Sequence, residues 1–148
     1  MIRGLEAADF GEIRRHAEAL AVNRYQEMIP DIDRLHKLLA ALRLDGSAYA
    51  KCIGPEGMPE AALLARTGDN VWATRRHSAV LLWYAIRPGL GPVLLRDYRH
   101  WALSQKTLQV AGMMDDYGMD ERTIKLVERI GFERRGGALL LFPRGKHR

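Results

Sequence analysis

Two stretches of this chain hold residue types whose spacing could do chemistry. In the first, Arg87-Pro88-Gly89-Leu90-Gly91-Pro92-Val93, two glycines lie between an apolar run and a helical pattern. A turn of this kind presents unpaired backbone N–H groups and the positive end of a helix dipole, which is the chemistry that holds a phosphate. Glycines let the backbone come close to such a ligand. Arg87, Gly89, Gly91 and Val93 are the candidate anion-binding residues of this turn, while Pro92 offers no N–H. In the second stretch, Asp115-Asp116-Tyr117, a carboxylate could act as a general base and a phenol, tuned by burial, as an acid. Asp116 and Tyr117 are the candidate catalytic residues. Both stretches also have a bland reading, as an ordinary strand-to-helix turn and as a solvated turn before a helix.

Other chemistry finds less support. His77 lies in an arginine-flanked loop and His100 on a helix face between Arg99 and Trp101, so either is as readily a surface or packing residue as a base. No His/Cys/Asp cluster has metal-ligand spacing, no Ser or Cys sits in an elbow motif, and no P-loop lysine follows the glycines, so neither a metal nor phosphoryl transfer is expected. The single cysteine, Cys52, is expected to be a small buried apolar side chain in a reducing compartment.

The elements that would position these residues follow from periodicity and caps. Met1 to Leu5 suits an edge strand. Asp9 is placed to cap a helix with Ile13, Ala17, Leu20 and Ala21 on its apolar face, and a second helix carries Leu35, Leu38, Leu39 and Leu42 between an aspartate cap, Asp31 or Asp33, and Asp45-Gly46. Strands are expected at 48–53 and 61–67, joined through Gly54-Pro55-Glu56-Gly57, with a short extended piece at 71–74. The run 79–86 reads as a buried central strand ending at Pro88-Gly89. A helix opens at Pro92 and runs to about Gln105, followed by a buried strand at 108–114. Asp120 caps the last helix, with Ile124, Val127 and Ile130 inward and Gly131 as its stop, and 138–142 closes as a strand.

At 148 residues the chain suits one domain, residues 1–148, with no internal repeat or linker. Apolar residues make up 47% and charged residues 28%, the balance of a globular protein that folds. The longest apolar run falls short of the roughly 20 residues needed to cross a bilayer, so no membrane insertion is expected. A net charge of +5 admits an acidic partner, but the charges are scattered, and the one basic cluster, Arg144 to Arg148, is too short and aromatic-poor for a nucleic-acid motif.

The order strand, glycine turn, helix, strand, helix, Gly-Phe, strand resembles the cofactor-binding half of the GNAT N-acetyltransferase fold. The resemblance is carried by RPGLGPVLL at 87–95 and MDERTIKLVERIGF at 119–132. It implies an α/β (α+β) fold, with a mixed, mostly antiparallel central sheet flanked by helices on both faces, and a loop whose amides hold the pyrophosphate of acetyl-CoA. The family's Gln/Arg position falls on Ile86, with Arg87 one place late. The family's Asn contacting the cofactor arm falls on Asp120, and its thiolate-protonating Tyr falls on Val127. The segment with Gly68, Asp69 and Trp72, together with IKLVERIGFE, also resembles the GNAT-like internal virion proteins of short-tailed bacteriophages.

Two functional expectations follow. One is a protein with a degenerate acyl-CoA site that works by binding protein partners as a virion or assembly component, made in the cytoplasm and incorporated in a virion. The other is an active acetyl-CoA-dependent N-acetyltransferase acting on a small amine or a protein amino group.

Overall fold

The computed structural model describes residues 1–24, 31–69, 76–114 and 119–145. The chain forms one seven-stranded sheet in the order β1-β2-β3-β4-β5-β7-β6. The strands are β1 (Ile2–Gly4), β2 (Tyr49–Ile53), β3 (Ala61–Asp69), β4 (Arg76–Ala85), β5 (Leu108–Met114), β6 (Glu133–Arg135) and β7 (Ala138–Leu141). Every neighbouring pair is antiparallel except β4 and β5. The helices are α1 (Phe10–Arg24), α2 (Ile32–Leu44), α3 (Leu90–Ser104) and α4 (Glu121–Ile130). The parallel pair is joined through α3, as a crossover connection requires.

The sheet divides the core in two. On one face Leu94, Leu95, Tyr98 and Ala102 of α3 and Ile124, Val127 and Ile130 of α4 meet Ala61, Leu63, Ala65, Ala111, Met113, Leu139 and Leu141. On the other, Phe10, Ile13, Leu39 and Leu42 from α1 and α2 meet Cys52, Ala62, Leu64 and Leu82. Strand alternation sorts these residues to their faces, and the 3.6-residue spacing on each helix supplies the matching stripe. Cys52 is fully buried, and burial pushes its thiol up to about 11, so it stays protonated and inert, as its sequence context implies.

The caps of α2 and α4 fall where the sequence places them. Asp31 accepts from the Arg34 amide at 3.1 Å and Asp120 from the Thr123 amide at 2.7 Å, and Gly131 ends α4 at φ 123°. Asp9 closes a capping box with Glu6 at the short turn, Ala7–Asp9, that leads into α1. Its carboxylate also accepts from Arg3, at 2.7 and 2.9 Å, and from the Gly57 amide, so it ties β1 and the β2–β3 connection to the helix start as well.

Three further expectations need correction. α3 begins at Leu90, two residues before Pro92, because Gly89 takes a left-handed conformation at φ 88° and turns the chain straight into the helix. β4 is central but not continuously buried: Leu81 is 48% exposed, because a bulge opposite Leu64 and Ala65 displaces it from the ladder. β6 has no sequence counterpart above. It is a three-residue polar edge strand, Glu-Arg-Arg, with none of the apolar alternation that marks a strand. The extended piece at 71–74, and Trp72 with it, lies outside the described residues.

Candidate functional site

β4 and β5 run together for a short distance only. Their pairs are Arg76 with Leu108, His77 with Val110, Ser78 with Ala111 and Ala79 with Gly112, and there the ladder ends. β4 continues to Ala85 along β3, while β5 continues to Met114 along β7. Past Ala79 the two strands have parted, so the β5-facing backbone groups of β4 have no partner in β5. The bulge at Leu81 lies within this parted stretch and adds a bend to it.

Above the gap stand two helix N-termini. A recess of about 240 Å³ is bounded by Trp83 and Ala85 at the end of β4, by Gly91 in the first turn of α3, and by Met119, Asp120 and Thr123 at the start of α4. The two helix ends differ. That of α4 is already satisfied by the Asp120 carboxylate, and Glu121 follows it. That of α3 has no capping side chain and no acidic residue in its first turn, whereas α1, α2 and α4 have Glu12, Asp33 and Glu121 there. The amides of Gly89, Leu90 and Gly91 thus meet no capping side chain at a positive dipole end. Pro92 has no N–H, and Val93, 42% exposed, is the first position the helix's own ladder reaches.

The turn is held from below. Trp83 donates its indole N–H to the Gly91 carbonyl at 3.1 Å, and its ring lies directly against the Gly91 position. α3 is fixed to the sheet by Asp97, which accepts from the Tyr49 hydroxyl at 2.7 Å and from Lys51 at 3.3 Å. Tyr98 donates to the Ser78 hydroxyl at 2.8 Å just before the strands part, and burial pushes its own phenol up to about 12 against the opposing effect of that bond.

The other candidates are dispersed. Arg87 is ion-paired to Glu60, and Ile86 is 55% exposed. His100 is exposed on α3. Arg144 donates to the carbonyls of Leu103, Gln105 and Lys106 at the end of α3, so the first residue of the basic tail is tied into the fold. Val127 is fully buried in the core. Asp116 and Tyr117 lie outside the described residues. Sequence reasoning missed Trp83 as the support of the glycine turn; its signal was an indole eight residues before a glycine, at the end of a strand.

A parted parallel strand pair beneath an uncapped helix N-terminus, in a seven-stranded sheet with two helices on each face, is a specific arrangement. The fold is that of the GNAT acetyltransferases. The chain is similar to a GNAT-family acetyltransferase from Streptococcus pneumoniae, with TM-score 0.73 and 11% identity over 96% of this chain and 98% of that one. It is also similar to a ribosomal-protein-alanine N-acetyltransferase from Brucella melitensis, with TM-score 0.69 and 19% identity over 95% and 96%. A third GNAT-fold structure, a spermidine N-acetyltransferase from Vibrio cholerae in complex with CoA and spermine, gives TM-score 0.70 and 12% identity over 97% and 95%. No family model matches the sequence, and no curated protein matches it. The GNAT fold is therefore legible in three dimensions where no family model recognises the sequence. Among the described residues no three His, Cys, Asp or Glu side chains gather as a metal site, and no helix is long and apolar enough to cross a membrane.

Proposed function

We propose that the protein binds acetyl-CoA or another short acyl-CoA and transfers the acyl group to an amine. The observation that carries this reading is the gap between β4 and β5 beneath the uncapped helix start at Gly89, Leu90 and Gly91. An anion at those amides and an extended thioester arm in the gap would together match the shape and polarity of an acyl-CoA. Similar structures solved with CoA, the spermidine enzyme and an aminoglycoside acetyltransferase, lend support. In the reaction the amine nitrogen attacks the thioester carbonyl, a C–N bond forms, the C–S bond breaks and the thiolate takes up a proton.

Calorimetric titration with acetyl-CoA tests the reading. Micromolar binding is expected, and no detectable heat at millimolar acetyl-CoA would overturn it. Val93→Glu gives a sharper check. An acidic residue in the first turn favours the helix dipole, so stability should stay within about 0.5 kcal/mol of the parent in a thermal melt, yet the added charge should weaken acetyl-CoA binding roughly tenfold. An unchanged dissociation constant would place the phosphate elsewhere.

A second reading is that the fold now serves as a non-catalytic virion or assembly component. Burial of Val127 in the core favours it, since α4 then offers no acid to a departing thiolate. The Gly68-Asp69 segment and the last helix supply the phage-like resemblance. Micromolar acetyl-CoA binding with no acyl transfer to any amine, the protein's own lysines included, would favour this reading over the first.

A further inference from the structure

The fork at which β4 and β5 part is closed by a side chain from α3. The last rungs of the ladder are Ser78 with Ala111 and Ala79 with Gly112. Tyr98, fully buried, brings its hydroxyl to this point and donates to the Ser78 hydroxyl at 2.8 Å. The Gly112 amide is directed at the same oxygen from β5: burial raises the phenol, and the Ser78 bond and this amide oppose the rise. One hydroxyl therefore addresses both strands where they separate.

Neither the ring nor the strands have room to give. The Tyr98 ring is stacked on Trp101 and Phe132, at 5.7 and 6.4 Å between centroids, and makes a T-shaped contact with Tyr49 at 5.3 Å. At Gly112 β5 is pressed so closely against β7 that a single methyl group would collide with the Leu139 carbonyl. β4 is laddered to β3 on its other side, where Ala79 pairs with Arg66 and Val80 with Ala65. The fork can deepen only by breaking the rung between Ala79 and Gly112 and the bonds of Tyr98, which would strand polar groups in the core.

We propose that the acyl group carried by the donor is acetyl or at most propionyl, and that Tyr98, by holding the fork shut, sets this limit. The limit rests on the acyl-transfer reading above and deepens it. β4 is parted from β5 from Val80 to Ala85, a length of about 20 Å at about 3.3 Å per residue. An extended phosphopantetheine arm is of that length. With its phosphate end at the start of α3, by Ala85 and Gly91, its thioester end comes to rest beside Val80 and Met113, next to the fork. A longer acyl chain continuing in line with the arm runs into the closed rung and the packed core beneath it. Its other course is to turn through the sheet into a recess of about 280 Å³ on the face away from α3, lined by His77, Ala79, Val110, Gly112, Ala138 and Leu140, among others. Tyr98 is a positioning residue in this scheme, acting through the two strands and not by touching the donor.

Calorimetric titration of the full chain with CoA, acetyl-CoA, propionyl-CoA and hexanoyl-CoA tests the limit without an acceptor. Acetyl-CoA is expected to bind at least tenfold more tightly than hexanoyl-CoA; equal affinity overturns the proposal, the longer chain then having taken the recess. Tyr98→Phe keeps the ring and removes the hydroxyl, and should narrow the acetyl-to-hexanoyl ratio at least fivefold. Ser78→Ala removes the same bond from the other side and should do likewise. A ratio unchanged in both variants takes the limit away from Tyr98. Tyr49→Phe removes another buried tyrosine bond to α3, the 2.7 Å bond to Asp97, and so controls for loosening alone. The ratio should hold there, and narrowing by the same factor counts against Tyr98. Should neither fork variant fold, the series on the parent chain still decides whether length is discriminated. Absence of binding by CoA and all its thioesters overturns the acyl-transfer reading and the limit with it, whereas tight binding without discrimination by length overturns the limit alone.

Discussion

Asp9→Ala is expected to destabilise the protein by about 3–5 kcal/mol, the cost of breaking a buried ion pair by removing one partner. Asp9 is fully buried and both its oxygens are engaged: Arg3 binds it bidentately, and the amides of Glu6 and Gly57 donate at 2.8 and 2.9 Å. Arg3 is held in turn by the Gly54 carbonyl at 2.9 Å. Removing the carboxylate strands a guanidinium and two amides from different parts of the chain, at the seam where β1, the β2–β3 connection and α1 meet. Urea unfolding monitored by circular dichroism gives the number directly, and a loss below about 1 kcal/mol would mean that water replaces the carboxylate.

The same residue sets a pH dependence. Burial alone would raise the Asp9 carboxyl, but the Arg3 hydrogen bonds and the Glu6 and Gly57 amides outweigh it and hold the group below its ordinary range. A lowered value in the folded state means that the unfolded chain binds the proton more tightly. The contribution of Asp9 is therefore complete at pH values above the ordinary aspartate range, near 4, and is lost as pH falls toward the folded-state value. In Asp9→Asn this part of the acid limb should flatten, while the remaining carboxylates keep theirs.

Legibility differed between elements for physical reasons. α2 and α4 could be placed from sequence because a heptad-like leucine stripe, or Ile124, Val127 and Ile130, coincides with a capping aspartate, and these are local signals. The start of α3 could not, since Pro92 fits the first helical position as well as the third, and only the left-handed turn at Gly89 settles which. β6 was invisible because an edge strand of Glu133, Arg134 and Arg135 owes its existence to the β7 ladder and not to a buried face. The glycine turn was legible as a phosphate-binding candidate, but the gap it overlooks was not, because where two parallel strands part is decided by their other neighbours, β3 and β7. The recess beside His77 is the extreme case. His77 looks like a lone histidine in sequence, and its companions Val110, Ala138 and Leu140 come from strands 33 to 63 positions away.

Two glycine-to-alanine substitutions should have opposite signs, and the larger effect falls where the site is built. Gly11, on the exposed face of α1, has open space around it and an ordinary helical backbone, so Gly11→Ala should stabilise by about 0.4–1 kcal/mol through the unfolded chain's lost freedom. At Gly112 a methyl group would lie 2.1 Å from the Leu139 carbonyl oxygen and 2.9 Å from the Leu140 side chain. The first of these is backbone and cannot rotate away, so Gly112→Ala must push β5 from β7, at a cost of about 3 kcal/mol or more. Because Gly112 is also the last residue that pairs with β4, the displacement reaches the mouth of the gap. Acetyl-CoA affinity should therefore fall even in the fraction that stays folded, as calorimetry on the folded species at low temperature would show. Stability within 1 kcal/mol of the parent would mean that β5 and β7 lie farther apart than the contact with Leu139 implies, and affinity unchanged in a destabilised variant would separate the sheet's closure from the width of the gap.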